Sequence, residues 1–147
     1  MINTESKPGD VFAGSTKKMS WERIAAFSGG PFNTPGWPRK NIHTDLDAAK
    51  ASGLDTICVS STQYLGHLAE LMIELFGASW LSHGTTSNLK FIHPVAENDT
   101  LQTKARIVDM AADGSCSMEI WCENQEGTQV MVGEARGRIT GRSGRPA

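Results

Sequence analysis

Cysteine is sparse in this 147-residue sequence and does not pair: Cys58, Cys116 and Cys122 are odd in number and form no C-x-x-C. That excludes a disulfide framework and points to buried free thiols in a reducing compartment. The histidines are as dispersed. His43, His67, His83 and His93 make no H-x-x-x-H and pair with no cysteine, so no metal site is expected. Runs of like charge are absent too, and the net charge is only −2. Arg136, Arg138, Arg142 and Arg145 are interleaved with glycine as on a strand face running into a tail, and no nucleic-acid partner is expected. The longest apolar stretches fall short of a membrane span and Met1 to Asp10 has no apolar core, so the expectation is no membrane partner and a cytoplasmic location.

With 39% apolar residues, the chain has the content of one compact domain with a sizeable core. Ser20 can cap a short helix in which Trp21, Ile24 and Phe27 recur every three residues until Gly29-Gly30. Three prolines between Pro31 and Pro38 forbid regular structure, while Phe32 and Trp37 argue for an ordered loop lying on the body. Those two aromatics either shield a bound chain or pin the loop to the core. Thr44 is the expected N-cap of a helix of about two turns, with Asp45 and Asp47 in its first turn and Gly53 at its C′ position.

From Ser60 to Phe76, apolar residues at 3–4 spacing (Tyr64, Leu65, Leu68, Leu71, Met72, Leu75, Phe76) cover a wide arc and predict an enclosed helix ended by Gly77. Gln63, His67, Glu70 and Glu74 form the expected polar flank, and Gly66 and Ala69 the expected place for another backbone to come close. The period then changes to two. Strands are predicted over Thr85 to Ile92, Thr100 to Ala111, Ser115 to Cys122 and Gln129 to Thr140, divided by turn signals near Asn98, Asp113 and Glu126. Three short connections predict an antiparallel meander, with Met118, Ile120 and Cys122 on one face and Glu119 and Trp121 on the other. Leu101, Thr103, Ala105 and Ile107 divide from Gln102, Lys104 and Arg106 in the same way. The expected class is α+β, a sheet wrapped around the apolar helix, since neither can bury its apolar surface alone.

The chemistry-bearing stretch is Asn41-Ile42-His43-Thr44-Asp45, with Ser60-Ser61-Thr62 opening the long helix a little further on. A base beside unpaired backbone N–H groups suits chemistry on an acyl carbonyl: the imidazole moves protons while the helix end stabilises an oxyanion. Asp45 can orient the imidazole or act as base, or simply serve the helix N-terminus; Asn41 can hold a water or satisfy loop backbone. Ser60 and Ser61 are not in a G-x-S-x-G context, so a nucleophilic role is not expected. Arg39 and Lys40 are candidate phosphate contacts.

N-I-H-T-D followed by Ala49, the apolar helix, and F-I-H-P-V-A-E-N-D-T-L from Phe91 to Leu101 resemble the MaoC-like dehydratases and (R)-specific enoyl-CoA hydratases of the hot-dog fold. The resemblance runs from about Trp21 to Ile139 within one hot-dog domain spanning 1–147 with polar tails. It implies an antiparallel sheet around a central helix, and a hydratase or dehydratase acting on an α,β-unsaturated or 3-hydroxyacyl thioester. It implies no cofactor beyond the coenzyme A or phosphopantetheine carried by the substrate, an acyl carrier protein as a possible partner, and a homodimer or higher homo-oligomer with sites between subunits. Catalysis falls to His43, with Asp45 and Asn41 as the nearest polar substitutes, and substrate binding to Ser60, Ser61 and Thr62.

The sequence departs from the family pattern where the aspartate of D-x-N-x-x-H belongs. That position is Pro38, with Lys40 in place of the asparagine, and aligning Ser28-Gly29-Gly30 with the family's S-G-D puts Gly30 there instead. Ser60 stands where the family has glycine. A non-catalytic acyl-thioester binder gains from this departure, and a thioesterase using Glu70 or Glu74 is the remaining enzymatic alternative.

Overall fold

The computed structural model describes residues 1–3 and 5–139; Thr140, Arg142 and Arg145, which the sequence places in the last strand and tail, lie outside the described residues. In chain order the elements are β1 (Val11–Ala13), β2 (Lys17–Lys18), α1 (Trp21–Ser28), α2 (Leu46–Ala51), α3 (Ser61–Phe76), α4 (Ser79–His83), β3 (Thr85–Phe91), β4 (Thr100–Met110), β5 (Ser115–Glu123) and β6 (Gln129–Arg138). Every strand pairing is antiparallel, in the order β1-β4-β5-β6-β3, with β2 also on β4.

The alternation seen in sequence is the burial pattern of the sheet. Leu101, Ala105 and Ile107 of β4, Met118, Ile120 and Cys122 of β5, and Met131 and Ala135 of β6 are buried against α3, which contributes Tyr64, Leu68, Leu71, Met72, Leu75 and Phe76. Fully burying such a side chain stabilises by roughly 1.5–3 kcal/mol, so this one seam dominates the core. The opposite sheet face carries the pairs Arg106–Glu119 and Lys104–Glu123.

Four expectations are corrected. The strands do not form one continuous meander: β3 pairs with β6, not β4, because the chain from Phe91 to Thr100 crosses to the far side and buries Val95, whose carbonyl accepts the Val59 N–H at 2.8 Å. The polar first twenty residues hold β1 and β2, since short polar segments can complete the free edge of β4 without an apolar pattern of their own. Gln63 and His67 do not lie on a solvated flank. Gln63 is buried and donates from Nε2 to the Arg23 carbonyl at 3.3 Å, and His67 Nδ1 is buried without a partner. Nor is Gly66 closely approached, for a Cβ there would meet nothing within 4 Å. The tight contact is Gly137, where a Cβ would sit 2.7 Å from the Phe76 ring, so its bare backbone is what lets α3 lie close to β6.

Candidate active site

The loop carrying the N-I-H-T-D stretch is pinned at its start. Ser20 caps α1 by accepting from the Arg23 N–H, and the helix closes at Gly29, whose N–H donates to the Ala25 carbonyl at 2.8 Å. Trp37 stacks on Phe32 at 4.7 Å, meets Trp21 edge-on at 6.3 Å and donates from Nε1 to the Gly30 carbonyl at 3.0 Å. The Arg39 N–H donates to the Gly29 carbonyl at 2.9 Å. Of the two roles open to Phe32 and Trp37, the contacts are those of loop pinning. A Cβ on Gly29 would lie 2.7 Å from the Pro38 Cβ, so this glycine is what lets the loop fold back on the helix end.

Asn41 then organises the turn. Its Nδ2 donates to the Ser28 carbonyl at 3.0 Å, and its Oδ1 accepts the His43 N–H at 2.8 Å. The N-cap of α2 is Asp45 rather than Thr44. Asp45 Oδ1 accepts the Ala48 N–H at 2.9 Å, while the Thr44 hydroxyl accepts from the Asn41 N–H and donates to the Arg39 carbonyl, closing the loop one residue earlier. The Ala48 N–H holds the Asp45 carboxyl below its usual pKa, and Lys40 stands 3.3 Å from Oδ2. Asp45 and Asn41 are therefore engaged by backbone groups and Lys40, and neither lines the cavity that His43 reaches.

His43 Nδ1 lies 2.7 Å from the Cys58 carbonyl oxygen and 3.4 Å from Cys58 Sγ. A carbonyl oxygen only accepts, so the shorter contact assigns the proton to Nδ1 and leaves Nε2 with a free lone pair. The Cys58 N–H in turn donates to the Ile42 carbonyl at 3.2 Å, tying the segment before α3 to the loop. His43 opens into a cavity of about 310 Å³ shared with Cys58, Val59, Ser61, Tyr64 and the segment from Phe91 to Val95. Among the described residues, no carboxylate side chain lines it. Burial raises the Cys58 thiol pKa and pushes the Tyr64 phenol up to about 12, so both keep their protons near neutrality.

Ser61 lines this cavity; Ser60 is the α3 N-cap residue, without a side-chain cap, and its hydroxyl is 2.8 Å from that of Thr62. The Gln63 N–H already donates to the Ser60 carbonyl at 2.9 Å, whereas the Ser61 and Thr62 N–H groups at the positive end of the α3 dipole are suited to a carbonyl or enolate oxygen. Glu70 is bound to Lys17 Nζ at 2.9 Å, and neither it nor Glu74 lines the cavity. A larger recess of about 850 Å³ on the outer sheet face runs between charged side chains including Arg106 and Glu119, and contains neither His43 nor any other histidine. The smaller cavity is therefore the candidate site. Among the described residues, no group of three or more His, Cys, Asp or Glu side chains could hold a metal ion.

Sequence reasoning assigned no role to Cys58, Tyr64 or His93 at this wall. Cys58 sits two residues before Ser60, and His93 lies inside F-I-H-P-V, so the only signal was their adjacency to segments already singled out.

A family model described as MaoC like domain matches residues 38–136. The chain belongs to this family. Its MaoC-like match includes the His43 loop, α3 and most of the sheet. Among solved structures, the R-hydratase PhaJ1 from Pseudomonas aeruginosa superposes with a TM-score of 0.72 at 18% identity, over 92% of this chain and 83% of that one. A MaoC-like dehydratase from Rhodospirillum rubrum gives 0.67 at 17% identity over 97% of each chain. The ChsH1-ChsH2 complex from Mycobacterium tuberculosis gives 0.70 at 16% identity, over 91% of this chain and 98% of that one. No curated protein matches by sequence. The MaoC-like chain thus has the hot-dog fold, an α+β architecture in which the antiparallel sheet wraps α3.

Proposed function

We propose that this MaoC-like chain is a hydratase or dehydratase acting on an α,β-unsaturated or 3-hydroxyacyl thioester, with His43 as its proton-transferring base. The observation that carries this is the Nδ1 contact to the Cys58 carbonyl, which leaves Nε2 as an acceptor at the wall of a cavity that Ser61 of α3 also lines. Bound with its carbonyl oxygen against the first-turn N–H groups of Ser61 and Thr62, a thioester has an acidified α-position and an electrophilic β-carbon. His43 Nε2 takes a proton from water as the water oxygen attacks that β-carbon, and the reverse sequence eliminates water. The substrate brings its own coenzyme A or phosphopantetheine arm, and a carrier protein is one possible donor. Membership of the MaoC-like family supports this reading.

A second reading has a specific observation behind it. Pro38 stands at the aspartate position and no carboxylate lines the cavity, which favours a non-catalytic acyl-thioester-binding protein. A panel of enoyl and 3-hydroxyacyl thioesters read by mass spectrometry separates the two. Gain or loss of one water supports the hydratase, whereas binding of a saturated acyl thioester with no turnover on any member leaves the binder.

We further propose a homodimer or higher homo-oligomer in the cytoplasm, with each pocket completed by its neighbour. The edge strand β3 is largely exposed, a geometry that invites pairing, and the three cysteines are free, as suits a reducing compartment. Light scattering at micromolar concentration that finds only a 15.9 kDa species would remove the oligomer.

A further inference from the structure

We propose that His93 is the second proton-carrying group of this site, standing in for the aspartate that Pro38 replaces; the inference rests on the hydratase or dehydratase reading. Adding water to an enoyl thioester requires two proton movements, one away from the water and one onto the α-carbon. A single imidazole whose Nδ1–H is committed to a backbone carbonyl has one free nitrogen. Among the described residues, four with titratable side chains lie at the cavity: His43, Cys58, the buried Tyr64 and the exposed His93. Burial raises the pKa of both the thiol and the phenol, so each gives up its proton less readily than an imidazolium does. That leaves the two imidazoles, whose ring nitrogens can each take or release a proton.

The backbone holds both histidines to one frame. Cys58 offers its carbonyl to His43 Nδ1 and forms an antiparallel bridge with Ala96. Val59 donates to the Val95 carbonyl at 2.8 Å, and on the other side of His93 the Ile92 N–H donates to the Val130 carbonyl at 3.0 Å. Val95 is buried and Pro94 stiffens the chain between it and His93. The backbone on both sides of the exposed His93 is thus clamped, and the residue lies at the cavity that His43 also lines.

In the hydration direction the steps balance as follows. The water oxygen bonds to the β-carbon as His43 Nε2 takes one water proton. The carbon–carbon π pair moves toward the thioester carbonyl, giving an enolate at the α3 N-terminus. His93, entering as imidazolium, releases a ring proton to the α-carbon and the carbonyl is restored. His43 leaves protonated and His93 neutral, and exchange with solvent resets them; dehydration runs the same steps backwards.

The experiment uses the full chain and trans-2-enoyl coenzyme A esters of increasing length. His93→Gln keeps a polar side chain of similar reach but cannot carry a proton. The expected result is a fall in kcat of about a hundredfold or more, with KM changed by less than about threefold, and loss of one limb of the pH–rate profile, a limb that wild type shows and that His93→Asp moves to lower pH. A merely structural His93 would not remove a limb. Should His93→Gln fold poorly, His93→Asn is read by the same criteria. An active wild type whose folded His93→Gln or His93→Asn variant keeps its kcat and both limbs overturns the role of His93 alone. A wild type that turns over no ester in the panel overturns the hydratase reading and this inference with it.

Discussion

Strand β5 and most of β4 bury alternate side chains and β6 adds Val130, Met131 and Ala135 to the core shared with α3, whereas the loop from Gly29 to Asp45 is held by a few hydrogen bonds and one aromatic stack. The contrast separates what holds the fold together from what positions His43. Apolar burial is non-directional and adds up over many residues, so the meander tolerates local change in its register-neutral outer face. The loop places one imidazole through Asn41, Gly29 and the Cys58 carbonyl, and each of these contacts is single and directional. Changes in the first region are therefore expected to move the melting curve, and changes in the second to move turnover.

The largest expected effect tests the first half of that contrast. Ile120→Ala removes a side chain only 1% exposed, and should destabilise the protein by about 2–5 kcal/mol in urea unfolding while leaving the KM of the residual folded enzyme unchanged. A loss below about 1 kcal/mol would mean that the β5 face is not the core it is taken to be. Next is His43→Ala, which should cut water addition or elimination by about a hundredfold or more with a melting temperature close to wild type. Undiminished turnover in the purified, folded variant would remove His43 from the mechanism.

Gly29→Ala sharpens the comparison because it is a packing change inside the loop. The new Cβ would lie 2.5 Å from the Ala25 carbonyl oxygen and 2.7 Å from the Pro38 Cβ, so the loop must shift. A cost of about 1–3 kcal/mol and a roughly tenfold loss of turnover are expected, the second measured at a temperature where the variant is fully folded. Equal turnover would show that the loop absorbs the shift without moving His43.

Acid should act on the periphery of both regions. Asp45, Glu70 and Glu123 have lowered pKa values, caused chiefly by the Ala48 N–H, the Lys17 bond and the Lys104 bond respectively. A carboxyl depressed in the folded state stabilises above its unfolded pKa of about 4, and that contribution is lost as pH falls through the folded value. Burial also lowers the His67 pKa, so the unfolded chain takes up that proton first and stability declines as pH falls below about 6.5. Melting temperature should therefore decline gently from about pH 6.5 and more steeply below about 4, and a curve that rises on acidification would contradict the assignment. The smallest effect is expected for Asp45→Asn. Asn caps as well as Asp, so turnover within about threefold of wild type is expected if Asp45 serves only α2. A loss of about a hundredfold in a folded Asp45→Asn protein would instead make it the replacement base.

Much of this was written locally in the chain. Alternation at Leu101 to Ile107 and Met118 to Cys122, the 3–4 spacing of α3 and the Ser20 cap are near-neighbour patterns, because strand and helix faces repeat within a few residues. The candidate base was visible in the same way, as a histidine in a recognisable five-residue stretch. Strand order was not, since β3 pairs with β6 rather than β4 only through the crossover that buries Val95. Nor was the use of polar residues 11–13 and 17–18 to cover the β4 edge, a choice made by backbone groups that carry no side-chain signature.

Membership of the pocket belongs to the same class. Cys58 and His93 share a cavity with His43 because the segment before α3 and the crossover after β3 are bridged across a gap of more than thirty residues, and Tyr64 joins them from the first turns of α3. Local spacing determined which residues could do chemistry, and only the tertiary structure decided which of them share a cavity. Asp45, placed in sequence beside the histidine, was turned by its helix cap toward Ala48, while His93, fifty positions away, was brought to the wall of the same cavity. The physical reason is that a cap is satisfied within one turn of chain, whereas a pocket wall is assembled by long-range backbone pairing that no short window of sequence contains.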